Sequence, residues 1–358
     1  MMELAKFYSG KRVLVTGHTG FKGTWLCLLL EKLGAKTFGY ALPADTTFYE
    51  AACPHLQGER LADIRDQDAL GDFLTGSKPE LVIHLAAHST LTHSYEMTRH
   101  IFDVNVMGVV SLLENIRKTT SVKAVLVVTS DKCYRNMESE AGYDETASLG
   151  AQDPYSASKA CQELVAECYR KSFFQQAGIS IATARASNVL GGGDFHYDRL
   201  VPSLIHRFLK GESGRIRKPE AMRPWQSVLD VLTGYLQLLK MLYEQNDAGG
   251  VYSSPFNFGP NADGIVTVRE LAEKLMACVP HARCTVGEAG TVKETNLLKI
   301  SSDKAKKILG WCPVCHLDET VKMAVDFYQR LQHGESARNI CLQQIAIYAN
   351  LLEKASRG

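Results

Sequence analysis

The feature that most constrains this chain is a series of short β-branched runs between Lys11 and Ala186, each followed by an amphipathic helical window. The runs are Arg12-Val13-Leu14-Val15-Thr16, Leu81-Val82-Ile83-His84-Leu85, Ala124-Val125-Leu126-Val127-Val128-Thr129 and Ile179-Ser180-Ile181-Ala182-Thr183-Ala184. Strands this uniformly apolar are covered on both faces, as happens in a parallel sheet whose crossover helices lie over each side. An α/β fold built on a Rossmann-like, doubly wound parallel sheet is expected. With 45% apolar and 22% charged residues in 358, disorder is excluded and a sizeable core is available.

The first run leads straight into Gly17-His18-Thr19-Gly20-Phe21-Lys22-Gly23 and then a helix. Glycines here let the chain turn sharply, let a pyrophosphate approach the backbone and let the helix pack on the sheet, while the helix start offers free N–H groups. The same spacing also suits a plain strand-to-helix turn. Its place after the first strand favours a dinucleotide site made by Gly17, Thr19, Gly20, Phe21, Lys22 and Gly23. After the second strand, Phe38-Gly39-Tyr40-Ala41-Leu42 has no carboxylate for a ribose diol, although Asp45 follows, so NAD and its phosphorylated form are both open. Asp63 and Ile64, after the third strand, are candidates for an adenine edge or for an ordinary loop.

The alternation loosens after Asn188-Val189-Leu190-Gly191-Gly192-Gly193-Asp194, whose glycines admit backbone conformations other residues resist. A lobe boundary is expected there. Residues 1–190 then form the dinucleotide-binding domain, with a return near 225–260 that includes Phe256-Asn257-Phe258. Residues 191–358 form mainly a smaller, interleaved α/β substrate-binding lobe and C-terminal helices, with helical windows at 201–209, 230–244, 268–278 and 317–330. Near the end, Leu342, Ile345, Ala349 and Leu352 mark a helical face that can pack on the body or on another subunit.

Tyr155 and Lys159 stand four apart at the start of a helix expected to run to Phe174, and so share a face. A nearby ammonium favours phenolate, which draws the tyrosine toward proton exchange with a substrate hydroxyl. Ser130 lies at the end of a parallel strand, where α/β sheets hold their ligands. Next to it, Asp131 and Lys132 add an acid and an amine. Oxidising C4 of a hexose acidifies the C5 hydrogen; a base can then remove that proton while an acid protonates the departing C6 hydroxyl. A surface ion pair is the plainer alternative for these two residues.

These residues resemble the extended short-chain dehydrogenase/reductase superfamily and, within it, the CDP-glucose 4,6-dehydratases. The similarity rests on the glycine turn, Thr129-Ser130-Asp131-Lys132-Cys133-Tyr134, Asp153-Pro154-Tyr155-Ser156, residues 188–194 and Arg223-Pro224-Trp225-Gln226. It implies a tightly held NAD, a redox triad of Ser130, Tyr155 and Lys159, dehydration by Asp131 and Lys132, and support of the lysine by Asn105. It also implies a nucleoside-diphosphate sugar substrate held by Asn188 and Arg223, and His88 and Arg199 are further candidates for substrate contact. An NAD-dependent 4-epimerase or other sugar-nucleotide modifier is the competing activity, and a non-catalytic nucleotide-binding protein is a third possibility. The chain departs from these relatives at residues 86–93, 138–145 and 290–295, which leaves the base and the hexose open.

Forty basic against 39 acidic residues provide no global field for nucleic acid or an anionic membrane. The longest apolar stretch, Thr24 to Leu30, is far short of the ~20 residues that span a bilayer. Ten scattered cysteines read as reduced thiols of a cytoplasmic protein. Cys312-Pro313-Val314-Cys315-His316 lacks a second ligand pair, so no metal is expected. His88 and His93 remain candidates for sugar contact. A homodimer or homotetramer is expected through the helical windows 101–118 and 155–174.

Overall fold

Residues 1–89, 94–287 and 295–357 are described by a computed structural model. His93 and most of the 290–295 segment lie outside the described residues. The first six strands are β1 (Arg12–Thr16), β2 (Lys36–Ala41), β3 (Gly58–Leu61), β4 (Leu81–His84), β5 (Ala124–Val128) and β6 (Ser180–Ala186). The next six are β7 (Asn188–Leu190), β8 (Gly214–Ile216), β9 (Met222–Ser227), β10 (Pro255–Phe258), β11 (Ile265–Thr267) and β12 (Cys284–Val286). Seven of them form one parallel sheet in the order β10-β6-β5-β4-β1-β2-β3.

The strand periodicity of two divides each strand between two cores. Val13, Val15, Leu81, Ile83 and Leu126 face one side with Trp25, Leu29 and Tyr235. Leu14, Val82, Val125 and Ile181 face the other with Leu70, Leu112 and Leu113. Every residue of β4 and β5 is buried, which is why those runs are apolar without alternation. The helix Phe21–Lys32 is buried on most of its circumference because it is sandwiched between the sheet and the helices Val228–Glu244 and Ala337–Arg357.

β1 pairs with β2 on one side and with β4 on the other, so the connections leaving β1 and β4 diverge. This opens a crevice at their carboxyl ends, the place where such sheets bind ligands. β6 passes through Ser187 alone into β7, which pairs with β9, and β9 pairs with β11 to make a second, three-stranded sheet. β10 returns to the edge of the large sheet beside β6.

Two local expectations change. Of Gly191, Gly192 and Gly193, only Gly193 has positive φ, at 87°. The other two are small because of close packing: a Cβ would come within 2.7 Å of Val228 at Gly191 and 2.0 Å of Phe327 at Gly192. The last helix packs on the body, but its buried stripe is Ile340, Cys341, Gln344, Ile345 and Tyr348; Leu342, Ala349 and Leu352 are only partly covered. Gln344 and Tyr348 belong to that stripe because each has a hydrogen-bond partner in the body, the Met323 carbonyl at 2.8 Å and Asp230 at 3.0 Å. A purely hydrophobic reading of the periodicity passes over both.

Candidate active site

Gly17 ends β1 with φ 72°, and a Cβ there would approach the Ala86 nitrogen to 2.7 Å, so the turn and the segment after β4 nearly touch. At Gly23 a Cβ would come within 2.1 Å of the Gly17 carbonyl oxygen. Gly20 differs. Its nearest neighbour would be 3.5 Å away, leaving room above the start of the helix Phe21–Lys32. That helix has no acidic residue in its first turn and no side-chain cap, so the backbone presents a positive end to the crevice. Phe21 itself turns into the core beside Phe48. Thr19 donates to the Leu42 carbonyl at 3.0 Å, which ties the turn to the loop after β2.

Ser130 and Asp131 follow β5 as a 3-10 turn, Asp131–Cys133, capped by the Ser130 hydroxyl, which accepts from the Lys132 amide at 3.2 Å. The same hydroxyl donates to Asp131 Oδ1 at 3.1 Å. Asp131 is 1% exposed, and its Oδ2 is buried without a partner. Lys132 Nζ is 3.5 Å from Oδ1 and keeps 30% of its side chain exposed, so it reaches from the turn toward open space. The plainer surface ion pair does not describe a carboxylate this buried.

Facing this turn is the helix Pro154–Tyr169, started by Pro154 and by the Asp153 carboxylate, which accepts from the Ser156 amide at 2.9 Å. Tyr155 hydrogen-bonds with Ser130. Burial raises the Tyr155 phenol above its ordinary value; the opposing influences come from Lys132, Ser130 and Arg199 rather than from Lys159. Lys159 Nζ stands 5.9 Å from the centre of the Tyr155 ring. Burial, and then the charge of Lys22, bring Lys159 down to about 7. Lys22 is itself lowered to about 8 by burial and by Arg199. Four cations thus converge on one crevice, an arrangement that suits an anionic ligand.

The other expected residues occupy several places. Asn105 lies in a widened helical turn, where it accepts from the His88 amide at 2.8 Å and donates to the His88 carbonyl at 3.1 Å and to Ser158 at 2.8 Å. It therefore braces the turn before Lys159 and sets the backbone of His88. Asp63 is engaged by its neighbour Arg65 at 2.6 Å, which holds its carboxyl below the usual range, and Ile64 is buried beneath Gly108. Arg199 bridges Asp194, at 2.9 Å, and the Ser89 hydroxyl, at 2.8 Å. Asn188 lies opposite Trp225, two residues along β9 from Arg223. Arg223 donates to the backbone carbonyls of Met222, Thr295 and Asn296. The Asn296 amide in turn donates to Glu138 at 2.6 Å, so two of the segments that differ from relatives meet around Arg223.

Asp194 and His196 carried no role in the sequence. His196 spans Asp194, at 2.9 Å, and Asp45, at 3.0 Å, and these carboxylates raise it to about 9. Asp45 is thereby tied to the segment that follows β7. The signal was an acid two residues before a histidine in a glycine-rich boundary, but nothing local announces a partner 151 positions away. Cys315 is buried and Cys312 exposed, and among the described residues no group of His, Cys, Asp or Glu is placed to hold a metal.

The parallel sheet with its glycine turn and adjoining Ser130, Tyr155 and Lys159 defines a protein of the short-chain dehydrogenase/reductase type. A profile of the GDP-mannose 4,6 dehydratase family matches residues 14–324, and the chain belongs to that family. It is 39% identical to the CDP-glucose 4,6-dehydratase of Salmonella typhimurium, over 96% of this chain and 97% of that one. It is 24% identical to dTDP-glucose 4,6-dehydratase 1 of Escherichia coli, over 88% and 92%. Among solved structures, UDP-glucose 4-epimerase of Thermotoga maritima superposes with a TM-score of 0.79 at 22% identity, covering 89% of this chain and 99% of that chain. dTDP-glucose 4,6-dehydratase of Bacillus anthracis superposes at 0.74 with 20% identity, covering 90% and 97%.

Proposed function

We propose that this protein is a nucleoside-diphosphate-hexose 4,6-dehydratase that converts CDP-glucose to CDP-4-keto-6-deoxyglucose. The observation that carries the reading is Asp131 Oδ2, buried and unpartnered beside Ser130 and Lys132. A buried carboxylate oxygen left without a hydrogen bond is unfavourable unless a ligand group completes it, and a C6 hydroxyl is such a group. The choice of CDP-glucose rests on the Salmonella typhimurium relative.

The residues around the glycine turn fit NAD. Gly17, Gly20 and Gly23, with the backbone at Phe21 and Lys22, would hold the pyrophosphate, and Asp63 and Ile64 would border the adenine. NAD, when bound, would supply the hydride acceptor for C4 of the hexose and the hydride donor for C6. Tyr155, eased toward phenolate by Lys132, Ser130 and Arg199, takes the proton of the C4 hydroxyl, Ser130 orients that oxygen and Lys159 lies beside the ring. Lys132 removes the C5 proton and Asp131 delivers a proton to the departing C6 hydroxyl, so that water leaves across C5–C6, and Lys132 returns the proton to C5 as the hydride goes back to C6. Arg199 and Arg223 supply the guanidinium forks that a diphosphate calls for, and His88 and Asn188 border the sugar.

The same reading takes residues 1–190 with the return near 225–260 as the cofactor-binding domain and 191–358 as mainly the substrate lobe. It includes a cytoplasmic homo-oligomer. Unpaired cysteines throughout the chain support the first part. Exposed Met107, Leu164 and Phe173 on the two helices beside the site support the second.

The test is to incubate the purified protein with CDP-glucose, UDP-glucose, dTDP-glucose and GDP-mannose and to follow product mass. A loss of water from CDP-glucose without net NADH is expected. If none of these sugars loses water, the dehydratase reading is wrong; interconversion at C4 without loss of mass would establish an epimerase in its place.

A further inference from the structure

We propose that Glu163 and Arg185 are positioning residues: a buried pair that sets the helix carrying Tyr155 and Lys159 in register with the turn carrying Ser130, Asp131 and Lys132. This rests on the dehydratase reading above. Tyr155, Lys159 and Glu163 are spaced by four along one helix and so lie on one face. The first two end in the crevice. The third turns to the sheet, where Glu163 Oε1 accepts from Thr129 Oγ1, and Oε2 accepts from Thr183 Oγ1 at 2.6 Å and from Arg185 Nη2 at 2.8 Å.

Thr129 is the residue before Ser130. The other side of Arg185 reaches the far end of the turn: Nη1 donates to the Tyr134 hydroxyl at 2.8 Å, and that hydroxyl donates to Asn257 Oδ1 at 2.7 Å. Asn257 is the register partner of Arg185 on β10, and its amide also holds the carbonyls of Tyr143, at 2.9 Å, and Ser301, at 3.0 Å. The turn from Ser130 to Cys133 is thus gripped at both ends by one ion pair, and the same carboxylate belongs to the helix that carries the redox residues. β5, β6, β10 and this helix are joined at a single point.

Stability does not account for the arrangement. Both side chains are 2% exposed, and a fully buried ion pair is commonly no more stabilising than well-packed apolar side chains of similar volume. An apolar pair cannot supply direction, whereas charge-assisted hydrogen bonds fix both distance and angle. Elimination across C5–C6 needs Asp131 and Lys132 placed correctly relative to a hexose already held by Tyr155. A pair that ties the two groups together meets that need.

The test uses the full-length enzyme with its bound cofactor and compares wild type with the double variant Glu163→Met/Arg185→Met and the single variant Tyr134→Phe. For the double variant, kcat with CDP-glucose should fall about 100-fold, as expected for a misplacement of the order of 1 Å, with KM within about threefold of wild type. Amide hydrogen exchange in a peptide covering 129–135 should rise about tenfold while a peptide covering 13–24 is unchanged. Tyr134→Phe keeps the ring stacked on Tyr143, 5.4 Å between centres, and removes only the bridging hydroxyl. It should lower kcat roughly fivefold with only a modest fall in melting temperature from the two buried partners it leaves unsatisfied, and it decides the matter if the double variant does not fold. Wild-type kcat together with unchanged exchange in 129–135 overturns the proposal. If the wild-type protein dehydrates no sugar nucleotide, the functional reading fails, and the exchange comparison still decides whether the pair orders the turn.

Discussion

The Ser130 hydroxyl and the Asp131 carboxylate are joined at 3.1 Å through Oδ1, which leaves Oδ2 buried and without a partner at the carboxyl end of β5. In the proposed dehydration one oxygen positions the acid and the other meets the substrate. Replacing Asp131 with Asn keeps the shape and the link to Ser130 but removes the acid. With CDP-glucose, Asp131→Asn is expected to lose about 100-fold or more in water release while still oxidising C4, so that the 4-keto-hexose accumulates. Product mass together with cofactor absorbance checks this. A variant that turns over at the wild-type rate without losing water would point to epimerisation.

Lys159 illustrates a conflict between stability and function. Its ammonium is buried and brought to about 7, so the folded protein is disfavoured relative to the unfolded chain wherever the lysine must be charged. The sign follows from proton binding: the unfolded chain binds the proton more tightly, so this contribution improves as pH rises from about 7 to 10.5 and is at its worst below 7. Lys159→Met is therefore expected to be inactive yet more stable, by on the order of 3 kcal/mol at pH 6 and by much less at pH 10. Melting of the cofactor-free protein at both pH values measures the difference.

His196 works with the opposite sign. Raised to about 9 by Asp194 and then Asp45, it contributes stability that is fully present below 6.5 and is lost as pH rises through 9. His196→Ala should lower stability by about 2 kcal/mol at pH 6 and leave it near wild type at pH 10, a contrast that denaturant titration at the two pH values resolves. Equal losses at both would show that packing, not charge, is what His196 contributes.

The three glycines of the first turn should separate by experiment. Gly23→Ala brings a Cβ within 2.1 Å of the Gly17 carbonyl and should lower the melting temperature sharply. Gly20→Ala meets nothing closer than 3.5 Å, so it should melt near wild type. It nevertheless fills the space above the helix start and should weaken NAD binding about tenfold, as read by fluorescence titration of the cofactor-free protein.

The legible parts of this protein are those in which neighbours in sequence are neighbours in space. Strands buried on both faces must be apolar, so β1, β4, β5 and β6 stand out without any partner being known. The turn from Gly17 to Gly23, the triplet Ser130-Asp131-Lys132 and the helix pair Tyr155 and Lys159 are each local, and spacing alone suggests their chemistry. Their convergence also follows from the sheet, because parallel strands bring every carboxyl end to one edge. The C-terminal stripe was displaced because Gln344 and Tyr348 are buried by hydrogen bonds that hydropathy does not register.

By itself the sequence determined the α/β sheet and the crevice at its carboxyl edge, since periodicity and short motifs encode local geometry directly. Only the tertiary structure decided which charges meet. Glu163 reaches Arg185 across 22 positions, Tyr134 reaches Asn257 across 123, and His196 pairs with Asp45 across 151. It also decided the electrostatics. Tyr155 was expected to be drawn toward phenolate by Lys159, yet burial raises the phenol and brings the lysine toward neutrality instead. Desolvation depends on everything that packs around a group, and no spacing along the chain carries that information.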